Sequence, residues 1–88
     1  MWQKTKVLVT GGASFIGSHL VECLVHKGAV VRVADNFSSG KRANLSSVAS
    51  DVEILEGNLK DLSFAAKASA GCQVVFHLAA DHGGRGYI

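Results

Sequence analysis

One segment near the start of the chain constrains its fold more than any other. The apolar run Lys6–Val9 leads directly into the turn Thr10–Gly17, with the sequence TGGASFIG, and an amphipathic stretch follows at once. Gly11 permits a tight turn, and Gly17 allows a helix to pack closely against the preceding strand. A strand, a glycine-rich turn and a helix in this order direct backbone N–H groups at a phosphate.

A carboxylate at the end of a second strand strengthens this interpretation. The β-branched run Ala29–Ala34 ends at Asp35, at about the twenty-residue spacing of a dinucleotide-binding βαβ unit. Asp35 can accept hydrogen bonds from the ribose hydroxyls of an adenosine, and would repel a 2′-phosphate by about 4 kcal/mol at ~4 Å. We therefore predict NAD rather than NADP as the cofactor, although Lys41 and Arg42 can soften this preference. The alternative interpretation is that Asp35 is simply a solvated turn residue.

The middle position of the glycine-rich turn departs from the usual pattern. Ser14 stands there, where a backbone normally makes its closest approach to a pyrophosphate. Its side chain has to be accommodated, but its hydroxyl can donate to a phosphate oxygen, so the residue is compatible with binding. A plain strand–turn–helix, with glycine present for geometry alone, is the alternative.

Periodicity divides the chain into alternating strands and helices. The first helix is predicted over Phe15–Lys27, with an apolar stripe of Ile16, Leu20, Cys23, Leu24 and Lys27 and a glycine cap at Gly28. Later elements are a weak helix over Lys41–Val48, strands at Val52–Leu55 and Gln73–Leu78, and a helix to Ala70 capped by Asp61. This order predicts an α/β fold, a Rossmann-like parallel sheet flanked by helices with strand order 3-2-1-4.

Composition excludes several other classes of protein. The 88 residues, 48% apolar and 18% charged, suit one small globular domain spanning 1–88. The net charge of +2 is spread over scattered lysines and arginines, which gives no nucleic-acid footprint. The longest uncharged run is too short and too polar for a membrane span. With no room for a signal peptide, a cytoplasmic protein is expected.

The cysteines and histidines do not predict a metal site. Cys23 and Cys72 lack metal or redox spacing and are interpreted as packed thiols. His19, Cys23 and His26 can share one helix face, but no fourth ligand is obvious nearby.

Three segments together resemble the extended short-chain dehydrogenase/reductases, and among them the NAD-dependent nucleotide-sugar epimerases and dehydratases. They are Thr10–Leu20, Asp35–Gly40 and His77–Ala80. The tail Ala79–Ile88 is most similar to the GDP-mannose 3,5-epimerase group, with UDP-glucose 4-epimerases next. The resemblance covers nearly the whole chain.

The resemblance implies a role for each matching position. The pyrophosphate would be lined by Gly11, Ser14, Phe15, Ile16 and Gly17, and the adenosine ribose held by Asp35 and Asn36. Asn58 and Leu59 would lie at the adenine, with Asn58 replacing the family's usual aspartate. Leu78, Ala79 and Ala80 would pass beneath the nicotinamide side, and Gly83 and Gly84 would border a nucleotide-sugar substrate.

The family's catalytic residues are not matched in this chain. The resemblance implies a catalytic Ser/Thr and a Tyr-x-x-x-Lys pair well after residue 88, so no catalytic residue is predicted here. We expect the chain to be the first part of a longer epimerase, for which the resemblance implies a homodimer and a mechanism of transient oxidation of the sugar. Alternatives are a non-catalytic nucleotide-binding module of the same fold, or a nucleotide-sugar dehydratase or reductase.

Overall fold

The computed structural model describes residues 2–38 and 40–78, which form one parallel sheet with helices on both faces. Its strands are β1 (Lys6–Thr10), β2 (Val30–Asp35), β3 (Val52–Glu56) and β4 (Val74–His77). Its α-helices are α1 (Phe15–His26) and α2 (Leu62–Ser69), and a 3₁₀ segment spans Arg42–Asp51. The sheet order is β3-β2-β1-β4, with all three pairings parallel, so the predicted 3-2-1-4 order is confirmed.

Alternation along the strands creates an apolar cluster on each face of the sheet. Because the central strand β1 is covered on both faces, its three apolar residues are at most 2% exposed. The larger cluster contains residues of the sheet, of α1, of the 3₁₀ segment and of the connections on either side of α1: Val7, Val9, Ala13, Val21, Leu24, Ala29, Val31, Val33, Leu45 and Val48. The smaller cluster lies beneath α2 and is centred on Leu8, Ala34 and Ala68.

The buried face of α1 differs from the predicted stripe. Its buried residues are Gly17, Ser18, Val21 and Leu24, while Ile16, Cys23 and Lys27 are exposed. Of the predicted set only Leu24 is buried, and Leu20 is partly buried against the larger cluster. A hydropathy pattern gives little weight to glycine and serine, yet small residues let the first turn of the helix approach the glycine-rich turn. The prediction that Cys23 is a packed thiol is therefore wrong, because Cys23 is exposed. Cys72, in contrast, packs partly against the smaller cluster.

The predicted glycine cap is confirmed at the C-terminal end of α1. Gly28 has a φ of +89° and follows the C-cap Lys27. The amide of Gly28 donates to the carbonyl of Val25 (2.9 Å), and that of Ala29 donates to Leu24 (3.0 Å). These two bonds form a Schellman cap, for which glycine is favoured because of the left-handed backbone.

Asp61 caps α2 as predicted, and the cap has a pH-dependent consequence. The hydroxyl of Ser63 and the amides of Phe64 and Ser63 donate to its carboxylate and hold the pKa of Asp61 below its ordinary value. A carboxylate with a lowered pKa in the folded state stabilises the fold above its unfolded-state pKa. This contribution is lost as the pH falls through the folded-state value.

We therefore expect Asp61→Ala to lower the melting temperature at pH 7, and the gap from the wild type to close as the pH falls below about 4. Thermal unfolding monitored by circular dichroism between pH 7 and pH 2.5 measures this gap. Asp51→Ala, which removes an exposed carboxylate, is the control for net charge. A gap that stays constant with pH would show that the carboxylate charge contributes nothing to the cap.

Candidate functional site

The candidate site lies at the carboxyl edge of the sheet, where the strand ends meet. β1 ends at Thr10, β2 at Asp35 and β4 at His77. The amide of Leu78 donates to the carbonyl (3.0 Å) and hydroxyl (3.1 Å) oxygens of Thr10. The chain leaves β1 in one direction toward β2 and β3 and returns to its other side as β4, so the strand order reverses at β1. In open parallel sheets, ligands bind outside the carboxyl ends of the strands at such a reversal.

The glycine-rich turn connects β1 to α1 and is held tightly at this edge. Gly11 has a φ of +73°, the left-handed backbone that glycine adopts without a steric cost. Its amide donates to the carbonyl of Ala34 on β2 (2.8 Å). A Cβ on Gly17 would overlap the carbonyl oxygen of Gly11, which shows how closely the first turn of α1 lies against the turn. Both glycines therefore have the geometric roles predicted from the sequence.

The N-terminus of α1 presents two backbone amides that have no partner among the described residues. The amide of Gly17 donates to the hydroxyl of Ser14 (2.9 Å), and that of Ser18 donates to the carbonyl of Ser14 (2.8 Å). No acceptor for the amides of Phe15 and Ile16 is found in the described part of the chain. Their side chains are 72% and 73% exposed, which leaves this end of the helix open to solvent. Unpaired amides at a helix N-terminus favour an anionic ligand.

Ser14 acts as the N-cap of α1. Its hydroxyl donates to the carbonyl oxygen of Gly11 (2.8 Å) and accepts from Gly17. In this structure, therefore, the hydroxyl that was predicted to donate to a phosphate oxygen donates within the turn. The sequence alone does not distinguish a hydroxyl that bonds within the turn from one that bonds to a phosphate. A serine placed three residues after one glycine and three before another is compatible with both.

Asp35 joins the end of β2 to the glycine-rich turn. Only 7% of the residue is exposed, and its Oδ2 and Oδ1 accept from the amides of Ala13 (3.0 Å) and Phe37 (2.8 Å). A carboxylate has about four lone-pair positions, so two bonds leave acceptor capacity on both oxygens. The structure places Asp35 beside the turn, and its predicted role with a ribose stays a prediction.

Two hydrogen bonds that the sequence did not predict hold the segment after β2 against the glycine-rich turn. The carbonyl of Ala13 accepts from the amide of Lys41 (3.0 Å) and from the side-chain amide of Asn44 (2.8 Å). Gly40 lies so close that a Cβ there would come within 2.9 Å of Asp35 Oδ2. An asparagine in a weakly helical segment carries no signal for this long-range bond.

Arg42 is also held at this edge of the sheet. Its guanidinium lies 4.6 Å from the ring centroid of Phe37 and donates to Glu56 Oε1 at 3.1 Å. Both charged side chains are more than half exposed, so the pair contributes little to stability. Arg42, one of the two cations predicted to soften repulsion of a 2′-phosphate, thus has a carboxylate partner of its own.

The remaining predicted positions fall into three groups: two asparagines, two leucines and four positions outside the described residues. Asn36 and Asn58 are exposed and use their side-chain oxygens in local turns, accepting from the amides of Ser38 and Lys60 (2.9 Å each). Leu59 packs partly against the smaller cluster, and Leu78 is 40% exposed. Ala79, Ala80, Gly83 and Gly84 lie outside the described residues.

Within the described ranges, no three His, Cys, Asp or Glu side chains converge as metal ligands. No helix in the same ranges is long and apolar enough to cross a membrane.

Comparison with known proteins agrees with this architecture. A model of the NAD dependent epimerase/dehydratase family matches residues 7–87. The chain belongs to this family. It is 40% identical over 77 residues to a UDP-N-acetyl-alpha-D-glucosaminuronate decarboxylase of Bacillus cytotoxicus, covering 88% of this chain and 24% of that protein. The family member described here therefore spans about a quarter of this relative's length.

Solved structures of relatives show the same fold as this family member. An epimerase from Methanothermobacter thermautotrophicus superposes with a TM-score of 0.84 at 34% identity, over 91% of this chain and 24% of that one. A UDP-glucose 4-epimerase from Brucella ovis, crystallised with NAD, superposes with a TM-score of 0.78 at 32% identity, over 88% of this chain and 23% of that one.

Proposed function

We propose that this chain binds NAD as the cofactor-binding part of a nucleotide-sugar epimerase. The observation that carries the proposal is a pair of backbone amides, those of Phe15 and Ile16, at a helix N-terminus on the carboxyl edge of a parallel sheet. Neither amide has an acceptor within residues 2–38 and 40–78. The family's NAD dependence and the NAD complex of the Brucella ovis relative support the choice of dinucleotide.

The residues present fit such a cofactor. Amides of the first turn of α1 would bind the pyrophosphate, and Gly11 and Gly17 keep that turn compact. Asp35 lies at the end of the neighbouring strand, with Asn36 next to it, and would hold the ribose. Asn58, Leu59 and Leu78 follow β3 and β4 at the same edge. Bound NAD would supply a hydride acceptor for transient oxidation of the sugar, and these residues would hold and orient it.

Local charge supports a preference for NAD over NADP. Asp35 and Glu56 end two adjacent strands, in register with each other, and Glu56 pairs with Arg42. A 2′-phosphate beside Asp35 would meet this carboxylate pair with one cation already engaged. Asp35, Glu56 and Arg42 together carry one net negative charge, which favours the unphosphorylated ribose, and Lys41 is the remaining cation that can soften this preference.

We extend the proposal to the substrate of the whole protein and to the catalytic activity of this chain. We propose a nucleotide sugar as substrate of the whole protein, supported by the UDP-sugar relative, with Gly83 and Gly84 as its neighbours. Ala79 and Ala80 would complete the nicotinamide side. The chain contains no Tyr-x-x-x-Lys pair, so we propose that these 88 residues bind cofactor without turnover, and that the complete enzyme works in the cytoplasm.

Calorimetric titration of the chain with NAD and with NADP tests the proposal. We expect saturable binding of NAD, and binding of NADP at least about tenfold weaker because of the Asp35 charge. ADP-ribose, which has the pyrophosphate and both riboses but no nicotinamide, should bind with an affinity near that of NAD. A folded sample that binds none of the three would contradict the proposed function, and tighter binding of NADP would contradict the role given to Asp35.

A further inference from the structure

The hydroxyl of Ser14 is engaged on both sides within the turn. It donates its single proton to the carbonyl oxygen of Gly11 (2.8 Å) and accepts from the amide of Gly17 (2.9 Å). A hydroxyl has one proton and two lone pairs, so only one lone pair is left. Toward a phosphate oxygen, itself an acceptor, this hydroxyl presents only a lone pair and is repulsive unless the proton it donates to Gly11 is released.

The bond from Gly17 to Ser14 reduces the number of free backbone amides that the N-terminus of α1 can offer to an anion. The Gly17 amide belongs to the first turn of α1, where unpaired amides attract negative charge. Ser14 occupies this amide and leaves those of Phe15 and Ile16 without partners among the described residues. We propose that Ser14 is a resident cap that competes with the pyrophosphate for the first turn of α1 and thereby weakens NAD binding. This inference rests on the proposed function, because it presumes that a pyrophosphate binds at this turn.

The backbone at position 14 allows the side chain to be changed cleanly. Ser14 has φ −70° and ψ 166°, an extended conformation that alanine, threonine and glycine all adopt. Substitutions therefore alter the hydroxyl and the Cβ without imposing backbone strain. Alanine removes the hydroxyl alone, glycine removes the Cβ as well, and threonine keeps a hydroxyl that can cap the helix.

The test is calorimetric titration of NAD into the wild-type chain and into the variants Ser14→Ala, Ser14→Gly, Ser14→Thr and Ser69→Ala. We expect the alanine and glycine variants to bind about fivefold more tightly, since one competing hydrogen bond is removed. Threonine should leave the affinity near that of the wild type. Ser69, whose hydroxyl donates to the carbonyl of Ala65 on α2 (3.0 Å), is the control for loss of a helix serine and should not alter binding.

Melting temperatures of the same proteins separate competition from a merely structural role. Ser14→Ala removes the cap and should lower the melting temperature while it tightens NAD binding. A purely structural serine would lower both stability and affinity when removed.

Four results would overturn the inference. Weaker binding by Ser14→Ala would show that the hydroxyl donates to the phosphate, and tightening by Ser14→Gly alone would assign the effect to the Cβ. Equal affinities for all five proteins would refute the competition while leaving NAD binding intact. No binding by any of them would overturn the proposed function together with this inference.

Discussion

Replacing Gly17 by alanine is expected to lower the free energy of unfolding by about 2 kcal/mol and to abolish NAD binding. The added Cβ would overlap the carbonyl oxygen of Gly11, and would lie 2.9 Å from the Cα of Gly12 and 2.8 Å from Ser14 Oγ. Two of these neighbours are backbone atoms of a buried turn, which cannot rotate away. The ~1 kcal/mol that alanine gains over glycine inside a helix offsets only part of this cost.

Urea denaturation followed by circular dichroism measures the change for Gly17→Ala. Gly71→Ala is the matched control, because a Cβ there meets no atom of the described residues within 4 Å and only its φ of +77° is strained. We expect that control to cost about 1 kcal/mol and to bind NAD as the wild type does. A Gly17→Ala chain as stable as the wild type, with unchanged NAD affinity, would show that α1 does not need its close approach to the turn.

Replacing Asp35 by alanine is expected to cost about 2–4 kcal/mol of stability. Its two oxygens accept from the amides of Ala13 and Phe37, and the residue is 7% exposed. Removing the carboxylate leaves both amides without an acceptor, one of them in the buried turn. Asp35→Asn should lose less, since its single oxygen still accepts from one amide while its NH₂ group faces the other.

The asparagine variant also separates the charge of Asp35 from its position. With the charge removed and the size kept, discrimination against NADP should fall by about tenfold or more. Chemical denaturation gives the stabilities, and paired titrations of NAD and NADP give the selectivity. Asp51→Asn makes the same change in net charge at an exposed site and should alter neither. If Asp35→Asn left the ratio of NAD affinity to NADP affinity unchanged, the Asp35 carboxylate would have no role in cofactor choice.

Most of the fold was predictable because its signals are local. The glycine-rich turn, the glycine after α1 and the Asp61 cap each act within a few residues, and the structure has all three as expected. The strand order follows from alternating strands and helices with short connections. The buried face of α1 was not predictable from hydropathy, because Gly17 and Ser18 are buried for their small size.

The candidate site was predictable in position and less so in its contacts. Parallel strands bring the ends of β1 and β2 together, so Asp35 and the turn were expected to be neighbours. The bond from Asn44 to Ala13 joins residues 31 positions apart and has no local signature. The Ser14 hydroxyl has two chemically reasonable uses, and only the three-dimensional structure shows that it bonds within the turn.

Binding of a dinucleotide at the first turn of α1 can be measured by titrating ¹⁵N-labelled chain with NAD and following its amide resonances. We expect the resonances of Phe15, Ile16 and Gly17 to shift saturably and by the largest amounts, with those of α2 unaffected. Shifts confined to other parts of the chain, or no shifts at millimolar NAD in a folded sample, would contradict binding at this turn.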